Sequence, residues 1–202
     1  MTQTPTPTVR LPRIQRREQI LASATNAFAR KGFAATGLDE IAQEAGITRV
    51  ILYRHFDSKT DLYRAVLDRF CAVLSDHVTE RVGGFTDASI DGLLRAAIAE
   101  PAGFRLLFVH AAREPEFEAL ALRFRARIAE TAHQQISRLV DGDWARWASQ
   151  LAPTVAIESI VAWLDAGQPD PDLAARRVQH VVAGVISAAI TKSDFESLPP
   201  TT

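Results

Sequence analysis

The segment from Thr48 to Lys59, TRVILYRHFDSK, places two guanidinium groups, an ammonium, a phenol, an imidazole and two hydroxyls on one short stretch. Groups of this kind donate hydrogen bonds to phosphate oxygens and to base edges in a duplex groove. Arg49 is the candidate for a bidentate bond to guanine, worth ~1 to 3 kcal/mol of discrimination, with a phosphate contact as its open alternative. Val50 and Ile51 carry no donor, so any reading they do is of thymine methyl groups. Tyr53 and Lys59 are assigned to phosphates, and His55 is weighted toward packing rather than reading.

Catalytic signatures are missing. The chain has no HExxH, paired CxxC, GxSxG or glycine-rich phosphate loop. Glu114, Glu116 and Glu118 beside Pro115 suit the start of a solvated helix through its dipole. His77, His110, His133 and His180 are spread over four helices, so no metal site and no cofactor are expected.

Two short helices crossing at a glycine-centred turn would present these groups. Thr36, three residues before Asp39, can cap a helix bearing Leu38, Ile41, Ala42 and Ala45 on one face. Gly46 can then take the left-handed conformation that ends a helix, and Thr48 caps the next one. The third position after that cap holds Ile51 where a capping box would place an acid, and an acid there would repel phosphate. Ser58 with Asp61 caps the following helix in the ordinary way. Such a pair of helices is a helix-turn-helix.

Net charge is −1 over 202 residues, which by itself argues against nucleic-acid binding, but it is unevenly placed. Residues 1 to 64 carry net +4 and the remainder net −5, as a basic reading head on an acidic body would. A chain of this length buries roughly 70 percent of the surface its unfolded form exposes. Abundant Ala, Leu, Arg and Glu without strand-like alternation predict an all-α protein of about nine helices. The single Cys71 rules out an internal disulfide and suits a reducing compartment. No secretion signal is expected, and the longest apolar candidate, Val181 to Ile190, is half of the ~20 residues a bilayer requires. A cytoplasmic protein without membrane association is expected.

The predicted order is a polar tail over 1–10, a three-helix helix-turn-helix domain over 11–57, a helical effector-binding and dimerisation domain over 58–191 whose connecting helix spans 58–82, and a tail over 192–202. The first helix runs from about Arg13 to Arg30 with Ile14, Ile20, Leu21, Ala24, Ala27 and Phe28 inward, and Gly32 ends it. Arg10, Arg13, Arg16 and Arg17 at its start oppose its dipole, which makes sense beside phosphates, with a solvated charged face as the equal alternative for each. Gly83 and Gly84 break the connecting helix, Pro101 opens a helix through Ala112, and Glu116 to Val140 forms another with Leu139 inward. Pro153 either kinks one helix or starts a fresh one. Phe104, Phe108, Phe117, Phe124, Trp144, Trp147 and Trp163 could surround a cavity for a small apolar or aromatic effector, with ordinary core packing as the alternative for each. The first six of these are the expected effector contacts.

The last two helices have too little polar face for a single-sided surface element. VAIESIVAWL over 155–164 is apolar nearly all round, and the small residues Ala183, Gly184, Ser187 and Ala188 permit close packing. A homodimer through a four-helix bundle is the economical explanation, with Ile157, Val161, Leu164, Val178, Val182 and Val185 at the interface. A monomer whose other helices cover both faces is the alternative.

The first helix ending in Gly32 and Phe33, then Thr36, Ile41, Ala42, Ala45, Gly46, Leu52, Tyr53, His55, Phe56, Ser58 and Lys59, resembles the tetracycline-repressor (TetR) family of bacterial transcription regulators over roughly residues 11 to 70. The resemblance implies a homodimer on a palindromic duplex operator that usually represses and lets go when a small molecule enters its C-terminal domain. It also implies that Thr48, Arg49, Tyr53, Arg54, His55 and Lys59 occupy positions that commonly touch DNA, and Thr36 a phosphate contact. Gly37 departs from the family's usual Ser or Thr, and Val50 and Ile51 from its usual small or polar residues. The competing classes are a helical interaction module without DNA binding and, more remotely, an enzyme. Strong salt dependence of duplex binding separates the regulator from the module.

Overall fold

The computed structural model describes residues 11–78 and 86–190. All regular structure among them is helical: α1 (Arg13–Ala35), α2 (Leu38–Glu44), α3 (Arg49–Tyr53), α4 (Lys59–Val78), α5 (Asp87–Ala99), α6 (Pro101–Arg105), α7 (Glu118–Ile136), α8 (Gly142–Asp165) and α9 (Pro171–Ile190). The expected break at Gly83 and Gly84 lies outside the described residues. The chain divides into two compact units after Arg69, so α4 contributes its first half to one unit and its second half to the other.

In the first unit Ile20, Leu21, Ala24, Ala27 and Phe28 of α1 are buried, as are Ile41, Ala42, Leu52, Phe56, Leu62 and Tyr63, and α1 packs on α2 and α2 on α3. The three- and four-residue spacing of these positions makes one apolar stripe per helix, and each large side chain removed from water stabilises the fold by ~1.5 to 3 kcal/mol. Phe28 meets the Tyr63 ring edge-on at 4.8 Å, and Phe33 meets it at 5.1 Å. Ile14 does not join the stripe. It is 79 % exposed.

Gly32 has φ 77 and ψ 172, a conformation only glycine adopts readily, and it interrupts the regular helix where the sequence predicts a stop. At the next junction Gly46 has φ +63, its N–H donates to Gln43 O, and the Ile47 N–H donates to Ala42 O at 2.9 Å. That pair of bonds is the Schellman closure of α2, and it sets the angle at which α3 leaves.

In the second unit α8 packs along α9 and α7, and α5 lies against α8 and α9. Pro153 sits buried inside one continuous α8, so it neither ends nor restarts a helix. The expected helix from Pro101 to Ala112 changes pitch: α6 gives way to a π-helical turn at Leu106–His110 and a 3-10 turn at Ala111–Arg113. Arg125 of α7 donates to the Phe108 carbonyl within that turn at 2.9 Å. Leu139 is 62 % exposed, because α7 ends at Ile136 and the chain turns outward before it.

By length and composition the 20-residue α9 is apolar enough to cross a membrane, twice the length of the apolar run from Val181 to Ile190. It carries Arg176 and Arg177, however, and turns Ala174, Val178, Val182 and Ala189 into the unit's interior.

Candidate nucleic-acid interface

Thr48 caps α3 through its hydroxyl, which accepts from the Ile51 N–H at 3.4 Å. Leu52 and Phe56 point into the core and fix the helix by its inner face. The outer face then follows from helical spacing: Thr48, Arg49, Val50, Tyr53 and Arg54 are exposed, with Val50 63 % open to water. Ile51 and His55 lie half-buried at its edges.

Two contacts hold the Arg49 side chain. Its Nη1 donates to the Asp39 carboxylate at 2.9 and 3.2 Å, and its Nη2 lies 3.2 Å from the Tyr53 hydroxyl with the guanidinium carbon 5.4 Å from the ring centroid. The Tyr53 hydroxyl and then the Asp39 charge raise the Arg49 pKa above its ordinary value. In the sequence Asp39 stands out only by its spacing from Thr36. An acid in the first turn of α2 and a cation in the first turn of α3, on either side of a glycine turn, was the available signal.

The α1 end adds positive charge beside α3. Arg17 stacks over Phe56 at 4.9 Å, and Arg16 donates to Gln19, whose amide in turn donates to the Ala45 carbonyl at 2.9 Å. Among the described residues Arg13, Arg17 and Arg54 form no ion pair, whereas Arg30 and Lys31 are matched by Glu44 and Glu40. Burial first, and then Arg13, Arg17 and Arg16, lower the His55 pKa below 6.5.

Two of the residues expected to touch phosphate are engaged within the chain. Thr36 is buried, and its hydroxyl donates back to Gly32 O at 2.7 Å, leaving Gly37 as the N-cap of α2 without a side-chain bond. The non-helical backbone at Gly32 leaves that carbonyl free to accept the hydroxyl. Lys59 points inward: its ammonium donates to the carbonyls of Phe33, Ala34 and Thr36 at 2.8, 3.2 and 3.2 Å, which uses all three of its N–H groups. The orphan carbonyls at the end of α1 attract a cation as phosphate would.

The residues assigned to an effector separate in the second unit. Phe104, Phe108 and Phe117 are buried and Phe124 is half-buried, with Phe70, Phe104, Phe108 and Phe124 forming a chain of rings at centroid spacings of 6.1, 4.6 and 5.8 Å. Trp144 and Trp147 are instead 59 % and 40 % exposed, stacked edge-on against each other at 5.5 Å. They lie exposed in the first turns of α8, beside the buried Ala145 and Ala148. Trp163 is buried at the other end of α8 and donates its indole N–H to the Pro169 carbonyl. Of the six residues assigned to a dimer interface, Ile157, Leu164, Val178 and Val182 are buried within the single chain, where α8 and α9 pack on each other. Val161 and Val185 are partly open.

Residues 20–66 match the family described as bacterial regulatory proteins, tetR family. The chain is 31 % identical over 195 residues, covering 91 % of itself and 89 % of its counterpart, to the HTH-type transcriptional activator FasR of Mycolicibacterium smegmatis. The chain belongs to the TetR family. As a TetR-family protein it is a DNA-binding transcriptional regulator. The HTH-type transcriptional regulator TtgR of Pseudomonas putida is 46 % identical over 52 residues, a quarter of each chain. That sharper match over a shorter stretch is what a common reading head on divergent bodies produces. A TetR-like transcriptional regulator from Rhodococcus sp. RHA1 shares the fold at a TM-score of 0.74 and 21 % identity, covering 88 % of this chain and 99 % of its own.

Proposed function

We propose that this regulator binds an inverted-repeat operator as a homodimer in the cytoplasm, represses transcription there, and is released by a small apolar or aromatic effector. The observation that carries the DNA side is the outer face of α3, where Arg49, Val50, Tyr53 and Arg54 stand exposed on a helix anchored by Leu52 and Phe56. In this reading Arg49 bonds to guanine, Val50 and Ile51 meet thymine methyls, Tyr53, Arg54 and Thr48 hold phosphates, and His55 packs beside them.

Two half-sites about 34 Å apart require two copies related by symmetry. The pairing surface is the outer face of α9, where Val181, Gly184 and Ala188 are exposed at helical spacing, together with the partly open Val161 and Val185. The ring chain from Phe70 to Phe124, next to the π-helical turn, supports an apolar effector, and α4 is the lever because it belongs to both units.

Activation is the second reading, favoured by the similarity over nearly the whole chain to FasR, a transcriptional activator. Selection of duplexes from a random pool, followed by in vitro transcription from a promoter carrying the selected site, tests both. An inverted repeat with strong salt dependence supports the interface. Binding that ignores both sequence and salt removes it. The direction of the change in transcript decides between repression and activation.

A further inference from the structure

The Arg49 guanidinium is gripped from two helices at once. Asp39 belongs to the first turn of α2, Tyr53 lies one turn along α3 from Arg49, and the Schellman closure at Gly46 fixes the spacing between the two helices. Asp39 is exposed, and an exposed ion pair contributes little to folding. Its consequence is directional.

A guanidinium has five N–H groups, and a bidentate bond to guanine needs two of them. Asp39 and Tyr53 engage Nη1 and Nη2 through one N–H each at the least, so enough donors remain to meet a base while the group stays held. Holding it in advance lowers the ordering cost of the correct contact. The carboxylate also cancels the charge of Arg49, so a phosphate offers that side chain less than it would offer a lone cation.

We propose that Asp39 is a specificity-determining positioning residue, which aims Arg49 at a base and withholds it from the phosphate backbone, through the 2.9 Å ion pair between α2 and α3. This rests on the reading of Arg49 as a base contact. Asp39 therefore weakens binding to random sequence and widens the gap between operator and random duplex. It discriminates by repulsion as well as by contact.

The experiment uses the full chain, a duplex selected by the wild-type protein from a random pool, single base-pair substitutions of that duplex, and an unrelated duplex. For Asp39→Asn, binding to the unrelated duplex tightens and its salt slope steepens by about 0.9, the value of one added phosphate contact. Discrimination falls at least about fivefold at the base pair that Arg49→Ala also affects, and stays unchanged elsewhere. Unchanged discrimination at that base pair, or uniform weakening on every duplex, overturns the proposal. Should Asp39→Asn fail to fold by circular dichroism, Tyr53→Phe releases the guanidinium's other hold. Loss of discrimination at the same base pair then supports the proposal, and none overturns it. If Arg49→Ala alters discrimination at no base pair, the reading of Arg49 itself fails. If it does while Asp39→Asn does not, only the positioning role is lost.

Discussion

The Lys59 ammonium stands 2.8 Å from the Phe33 carbonyl oxygen and 4.5 Å from the centroid of the same residue's ring. One cation thus closes the carbonyl end of α1 and covers an aromatic face that packs on Tyr63. Lys59→Met removes three charge-assisted bonds and should lower unfolding free energy by about 2 kcal/mol. If the ammonium is spent internally, the salt slope of DNA binding stays within a small fraction of the ~0.9 that one lost phosphate contact would remove. Urea unfolding and salt-titrated binding on the same variant test both halves.

The turn at Gly46 makes a separate demand. A Cβ there would meet nothing within 4 Å, so the cost of Gly46→Ala is purely the left-handed backbone at φ +63, about 1 to 2 kcal/mol. Gly46→Asn should cost less, since Asn tolerates that region. Equal thermal shifts for the two variants would mean that the turn does not need its conformation.

Glycines in the second unit are constrained by space instead. A Cβ on Gly92 would stand 2.5 Å from the His77 carbonyl oxygen, whereas one on Gly103 would meet the Phe70 ring at the same distance. Overpacking costs ~1 to 3 kcal/mol, and a backbone carbonyl yields less readily than a ring that can tilt. Gly92→Ala should therefore unfold at lower denaturant than Gly103→Ala, measured by circular dichroism.

Adjacent valines on α9 face opposite ways, Val182 inward and Val181 outward. With pairing through the outer face, Val181→Glu should yield a folded monomer that binds half-sites weakly. Val182→Glu should unfold the chain, because it buries an unpaired charge. Analytical ultracentrifugation of Val181→Glu, if it returned an unaltered dimer, would move the interface elsewhere.

Acid should weaken the fold through two histidines. Burial and the arginines of α1 lower the pKa of His55, and burial followed by Arg113 lowers that of His110. Below the ordinary value of 6.5 the unfolded chain takes up protons that the folded chain refuses. Stability therefore falls as pH drops from about 6.5 until the folded imidazoles also protonate, and neither histidine contributes above it. Replacing both with Gln should flatten the pH dependence of the unfolding midpoint in that window.

Much of this protein is written locally. The Gly32 stop, the Gly46 turn, the Thr48 cap and the Ser58–Asp61 cap each depend on residues a few positions apart, and the Asp61 N–H indeed bonds to Ser58 Oγ at 3.0 Å. The donor-bearing residue types from Thr48 to Lys59 likewise marked the segment that carries the exposed Arg49 and Val50. Partners distant in sequence were not legible. Lys59 reaches carbonyls more than twenty residues away, Asp39 reaches Arg49 across the turn, and Val178 and Val182 are covered by a neighbouring helix rather than by a second copy. A cation or an apolar stripe announces only that it needs a partner. Which one it obtains is set by how helices cross in space, and that is a property of the packed chain, not of any stretch within it.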